Sequence, residues 1–306
     1  MIHSLVRERS GIRQCTLICL VCALASFVPF IILDHGFFHV GYDFNVQEIP
    51  FGMALHNALS EGNPGGWIWN YGLGMSTVQA FSFYGMGSPF IWLSFLFPVS
   101  WYPYLTGWLY VLKYTVAGVT AYAYIRRFTK GETSAMAGAL MYAFSGFQAA
   151  NLIFFHFHDV VALFPILLIG LEKILKDPRD RGLFVFSVFL NALNNYYFFV
   201  LEVIFIILYF VFRFVGEEKK TVRNFFRDAL NCLGCGIWGI AMSAVLLLPS
   251  VLYILKSPRA EQALFLKISA GRAFRKPGLC VCHMFCGSSS GVNCQQPRNI
   301  SSLKAK

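Results

Sequence analysis

Four groups of residues in this sequence could act on a ligand. Asp43 stands in Gly41-Tyr42-Asp43-Phe44-Asn45-Val46-Gln47, just beyond the first long apolar run. A carboxylate there could take a proton from an acceptor hydroxyl or help to hold a cation. A solvated loop acid is the simpler reading of its spacing. His156-Phe157-His158-Asp159 sets two imidazoles and a carboxylate at the start of a later apolar run. On an extended segment His156 and His158 would share a face, and with Asp43 they would offer a divalent cation its ligands. An interfacial polar cluster is the simpler account. Trp67-Ile68-Trp69-Asn70-Tyr71-Gly72-Leu73-Gly74 carries rings that can pack on the apolar faces of a ligand or lie at the headgroup level of a bilayer. Composition alone favours the headgroup belt. Lys113 and Glu202 sit inside apolar runs, where an ionisable group is costly and faces a cavity or a partner. A Lys113–Glu202 pair is one expectation, and separate snorkelling of each side chain is the other.

The elements that must position these groups are membrane helices. The chain has 306 residues, 57% hydrophobic and 13% charged, about half the charge of an ordinary soluble domain. A span needs roughly 17–25 mostly apolar residues. The candidates are 16–33, 104–125, 135–150, 160–175, 183–192, 198–215 and 229–254, with 183–192 the shortest. This gives an all-α integral membrane fold of about seven helices with a long first extracytoplasmic loop. Within that loop Phe51, Leu55, Ala58 and Leu59 share one helical face after Pro50, which predicts a helix lying along the membrane. Phe90–Phe97 is apolar but too short to span, and is read as re-entrant or interfacial.

Basic residues fix an expected orientation. Arg7, Arg9 and Arg13, then Arg126, Arg127 and Lys130, then Lys173 to Arg181, then Arg213 to Arg227 fall in alternate loops, and the loops between them hold none. The positive-inside rule therefore places the N-terminus in the cytoplasm. The first apolar run continues past Ala23-Leu24-Ala25 to Leu33, as a retained anchor does and a cleaved signal does not. The net charge of +10 does not point to nucleic acid: residues 1–254 carry +2 and the remainder +8, so the body is close to neutral. Hydrophobic periodicity stops from about Ala263, and the segment 256–306 is expected to be an atypical, disordered basic tail. Its Cys280, Cys282, His283 and Cys286 match no common zinc spacing. The odd total of nine cysteines implies no disulfide framework.

Several short motifs in a fixed order resemble the bacterial YfhO family of membrane proteins. They are Asp43-x-x-x-Gln47, the Trp69–Gly74 segment, Tyr84-x-x-x-Ser88-Pro89-Phe90, Tyr142-x-x-Ser145-Gly146-Phe147, Asp159 with Pro165 and Gly170-Leu171-Glu172, and Asn195-Tyr196-Tyr197-Phe198. The resemblance covers about residues 34–255, so 1–255 is read as a YfhO-like polytopic membrane domain. It implies a GT-C-type glycosyltransferase. Such an enzyme moves a sugar from a polyprenyl-phosphate carrier to an envelope polymer outside the bacterial cytoplasmic membrane. Asp43 matches the acidic residue of the first outer loop, and Asp159 is the second catalytic candidate. Gln47, Trp69, Asn70, His156, His158, Asn195 and Tyr196 are the expected substrate-binding residues. Family members are usually longer, so the chain reads as a truncated member. No nucleotide-binding glycine loop is visible, in keeping with a lipid-linked donor. The alternatives are a transporter or flippase for a lipid-linked or polar solute, with Lys113 and Glu202 lining its path, and an inactive fragment.

Overall fold

A computed structural model describes residues 2–63, 65–216 and 221–256, with side chains from residue 10 onward. The tail 257–306 and its cysteines lie outside the described residues. Helix α1 (Ile2–Leu33) leads into a long loop segment. This segment holds a single π turn (Phe44–Glu48), α2 (Ile49–Ser60), a two-stranded antiparallel hairpin of β1 (Trp67–Ile68) and β2 (Met75–Ser76), α3 (Thr77–Phe81) and α4 (Pro89–Ser94). Helix α5 (Tyr102–Ile125) follows, then α6 (Glu132–Ala143), α7 (Gly146–Ala150), α8 (Phe157–Lys176), α9 (Gly182–Asn194), α10 (Tyr196–Val215) and α11 (Val222–Leu255).

Residue spacing explains the packing of α1 on α5. Cys15, Cys19, Ala23, Phe27 and Ile31 recur every four residues and are buried, so they form one stripe down the helix. Gly118 and Gly107 of α5 lie under that stripe, where an added Cβ would strike Cys19 and Ile31. The opposite face of α1 exposes Leu17, Val21, Phe30 and Ile32, as a lipid-facing surface does. A first core gathers Phe27, Phe38, Phe44, Leu55, Tyr110 and Phe155 between α1, α5 and the loop segment. A second joins α8 to α9 through Leu167, Leu171, Phe184 and Val188. There Gly170 lets the backbone of Phe184 approach closely.

Among the described residues, three helices are both long and apolar enough to cross a bilayer: Ser10–Leu33 within α1, Tyr196–Val215 and Val222–Leu255. Helices α5 and α8 have the length, at 24 and 20 residues, but they sit inside the bundle and carry its buried polar groups. The run 135–150, read from sequence as one span, is broken. Helix α6 stops at Ala143, Ser145 is extended, and α7 restarts at Gly146. The Gln148 amide turns back and donates to the Ala143 carbonyl at the break, so the interruption has its own hydrogen bond. Helix α6 alone, at 12 residues, is about 18 Å long. Helix α2 has Pro in its first turn, as expected, but packs on the first core through Leu55 rather than standing clear of it.

Candidate functional site

The polar side chains converge where the π turn, α5, the 82–88 loop and the start of α8 meet. Lys113 of α5 is fully buried. Its Nζ lies 2.6 Å from Asp159 Oδ1 and donates to the Phe155 carbonyl at 2.8 Å, over the face of the Phe155 ring. Asp159 is also fully buried. A buried ion pair is tolerated because each charge neutralises the other, and loss of one partner leaves an unpaired charge in an apolar interior.

A second buried pair lies beside it. His156 Nδ1 is 2.8 Å from Glu48 Oε1, with both side chains almost completely enclosed. The rings of Phe83, Tyr84 and Phe157 surround the imidazole. Among the described residues its Nε2 is buried with no hydrogen-bond partner. His158 is occupied on both edges: Nδ1 faces Gln148 Oε1 at 2.8 Å, and Nε2 faces the Asn151 carbonyl at 3.1 Å. Tyr110 donates its hydroxyl to the Leu152 carbonyl at 2.6 Å, which ties the segment between α7 and α8 to α5.

A third group reaches the surface. Asp43 is half-buried at the start of the π turn. Gln47, one turn on, directs its amide nitrogen at Asp43 Oδ1 over 3.5 Å and accepts from the Tyr84 hydroxyl at 3.2 Å. The Tyr84 ring in turn packs against His156. One short turn therefore sends Gln47 towards the open carboxylate and its neighbour Glu48 into the buried pair. Tyr42, beside Asp43, has a φ of +47° and is exposed, which costs a bulky residue some strain.

The model of the family described as bacterial membrane protein YfhO matches residues 16–273, a stretch that contains all three groups. The chain belongs to the YfhO family. It is also 26% identical over 119 residues to the uncharacterized protein YfhO of Bacillus subtilis (strain 168), an alignment covering 37% of this chain and 14% of that protein. No solved structure matches.

Within this YfhO-family chain the expected site residues separate into distinct places. Asp43 and Gln47 are joined at the surface, while His156 and Asp159 lie just behind them in the buried pairs. Asn195 is buried and holds the arrangement from the side. Its side-chain oxygen caps α10 by accepting from the Tyr197 and Phe198 amides, and its nitrogen donates to the Phe83 carbonyl at 3.3 Å. Tyr196 is half-buried with its ring 6.1 Å from that of Phe83. Trp69 and Asn70 stand apart, exposed in the connection of the β1–β2 hairpin.

Three expectations need correction. Lys113 pairs with Asp159 and not with Glu202, because α8 and not α10 packs against the Lys113 face of α5. Glu202 is buried in α10 without a hydrogen-bond partner among the described residues. Asp159 is sealed against Lys113 and does not reach a surface where it could touch substrate. His156 and His158 face different partners, because the chain enters α8 there instead of running extended. With Asp43 they do not form a metal site: among the described residues no three His, Cys, Asp or Glu side chains cluster closely enough. Sequence reading passed over Gln148, a lone amide within an apolar run and so a visible signal. Glu48 counted there only among the polar groups of the first outer loop, and Tyr84 only as part of a motif, neither with a role of its own.

Proposed function

We propose that this chain is the membrane-embedded part of a glycosyltransferase. It takes a sugar from a polyprenyl-phosphate carrier and passes it to an envelope polymer outside the bacterial cytoplasmic membrane. The observation that carries this reading is the placement of Asp43. It is the acid of the convergent region that meets solvent, and Gln47, itself held by Tyr84, orients it beside the buried Lys113–Asp159 ion pair and the buried Glu48–His156 contact.

In this mechanism Asp43 accepts the proton of the acceptor hydroxyl. The acceptor oxygen bonds to the anomeric carbon, and the bond from that carbon to the carrier phosphate breaks, releasing polyprenyl phosphate. Gln47 holds the carboxylate, Tyr84 holds Gln47, and Asn195 fixes the loop that bears Tyr84. Lys113, Asp159, Glu48 and His156 are positioning residues that keep this end of the bundle in one shape. Trp69, Asn70 and Tyr196 offer rings and an amide to sugar or acceptor. The orientation is N-terminus in, with a GT-C-like layout of about seven spans. The broken α6–α7 segment and short α9 cross as protein-covered elements, where irregular backbone is tolerated.

Transport is a second reading, favoured by Glu202 of α10, buried with no hydrogen-bond partner among the described residues, since such a carboxylate can mark an ion path. The two readings separate in proteoliposomes given a radiolabelled polyprenyl-phosphate sugar and a crude envelope acceptor. Label reaching polymer with the wild type and with Glu202→Gln, but not with Asp43→Asn, supports transfer. Uptake of solute that depends on Glu202 and ignores Asp43→Asn supports transport and rejects the enzyme.

A further inference from the structure

A separate cavity of about 520 Å³ lies at the other end of α5, roughly 21 Å along the helix from Lys113. Arg127, Lys176 and Arg213 line it together with Glu172, Phe128 and Phe210. The acid is fully engaged: Glu172 takes Arg213 in a two-point pair at 2.7 and 3.0 Å and accepts from the Tyr209 hydroxyl, to which Tyr124 donates at 2.9 Å. Arg127 and Lys176 have no carboxylate partner among the described residues. The cavity therefore carries two surplus positive charges on flexible arms around a fixed Arg213–Glu172 floor.

Phe210 is also part of the wall of an apolar groove of about 370 Å³ between α10 and α11, lined by Val203, Ile207, Leu233 and Gly236 among others. That groove runs along α10 from Phe210 back to Phe199, about 16 Å at the helical rise. A cationic chamber opening beside an acyl-sized apolar channel has the two chemistries of a lipid. Basic pockets between membrane helices bind anionic headgroups, and 520 Å³ is within the usual range for a small ligand.

We infer that this is a binding site for an anionic phospholipid, its phosphate held by Arg127 and Lys176 and one acyl chain lying along α10. The inference is independent of the transferase reading, because none of its residues belongs to the Asp43 region. A free phosphate would use the same two cations but would have no use for the groove, so the groove decides the source.

The test is native mass spectrometry of the purified full chain in detergent. It is titrated with phosphatidylglycerol, with phosphatidylcholine of the same acyl chains, and with inorganic phosphate. Phosphatidylglycerol should bind at least tenfold tighter than phosphatidylcholine. Arg127→Gln with Lys176→Gln should remove that preference, while Lys130→Gln with Arg179→Gln, which removes two charges that do not line the cavity, should keep it. Gly236→Phe fills the groove from a position where an added Cβ meets open space, and should weaken phosphatidylglycerol binding several-fold. Equal binding of the two lipids, or a preference that survives the Arg127/Lys176 change, overturns the site. Phosphate binding that matches phosphatidylglycerol and ignores Gly236→Phe makes it a free-anion site and overturns the lipid. If the double variant does not fold, Arg127→Gln alone and Gly236→Phe decide the same question.

Discussion

The buried pairs Lys113–Asp159 and Glu48–His156 lie beside the Asp43–Gln47–Tyr84 group, and the two regions differ in what surrounds their charges. The pairs are closed off by Phe83, Tyr110 and Phe155, and in each the two side chains meet at 2.6–2.8 Å. Asp43 is half-open and answered weakly, by one amide at 3.5 Å. An enclosed pair gives shape but has no room for a reactant. A carboxylate held loosely at a surface keeps lone pairs for one. Under the proposed function, acids from two turns of the same fold carry different tasks, and the difference lies in their enclosure and not in residue type.

The comparison breaks first at Lys113. Lys113→Met should cost about 3–5 kcal/mol by stranding Asp159, seen as a lower melting temperature in detergent. Lys113→Met combined with Asp159→Leu should recover most of that loss. A double variant no better than the single one would mean that the pair is not a unit. The next effect is at Gly87, where an added Cβ would run into the Leu193 carbonyl at the end of α9. Gly87→Ala should cost about 1–3 kcal/mol and disturb the loop that bears Tyr84, lowering melting temperature and transfer together. Asn195→Ala removes the cap of α10 and should cost about 1 kcal/mol by the same melt.

The smallest effect concerns His56 of α2, bonded through Nε2 to Ser94 Oγ at 2.9 Å. Burial holds its pKa below the ordinary value of 6.5. The unfolded chain then takes up this proton more readily than the folded one, so stability is full above about pH 6.5 and falls as pH drops towards the folded value. Melting curves of the wild type should decline below pH 6.5 more steeply than those of His56→Gln, which keeps a polar group but does not titrate.

Much of this fold was legible in the sequence. The runs 16–33, 198–215 and 229–254 are long and uniformly apolar, and they lie within α1, α10 and α11. The α2 face was readable from Leu55 and Ala58, but not the surface it meets. The α6–α7 break had a signal in Ser145-Gly146, a turn-marking pair, but the apolar residues on both sides let 135–150 read as one run. At the site, Asp43 and Gln47 were readable as a four-residue spacing, since one turn joins them. The partner of Lys113 was not, because Asp159 and Glu202 both lie far along the chain. Their helices, not their spacing, decide which one meets α5. The consecutive residues Gln47 and Glu48 also face different ways, and only the local π turn settles which points inward.

The most direct test sets Asp43→Asn beside Asp159→Asn and measures sugar transfer and melting temperature on each. The account predicts that Asp43→Asn melts with the wild type yet transfers at least about a hundredfold more slowly, whereas Asp159→Asn loses stability first and transfer only with it. Wild-type transfer by a well-folded Asp43→Asn protein would contradict it.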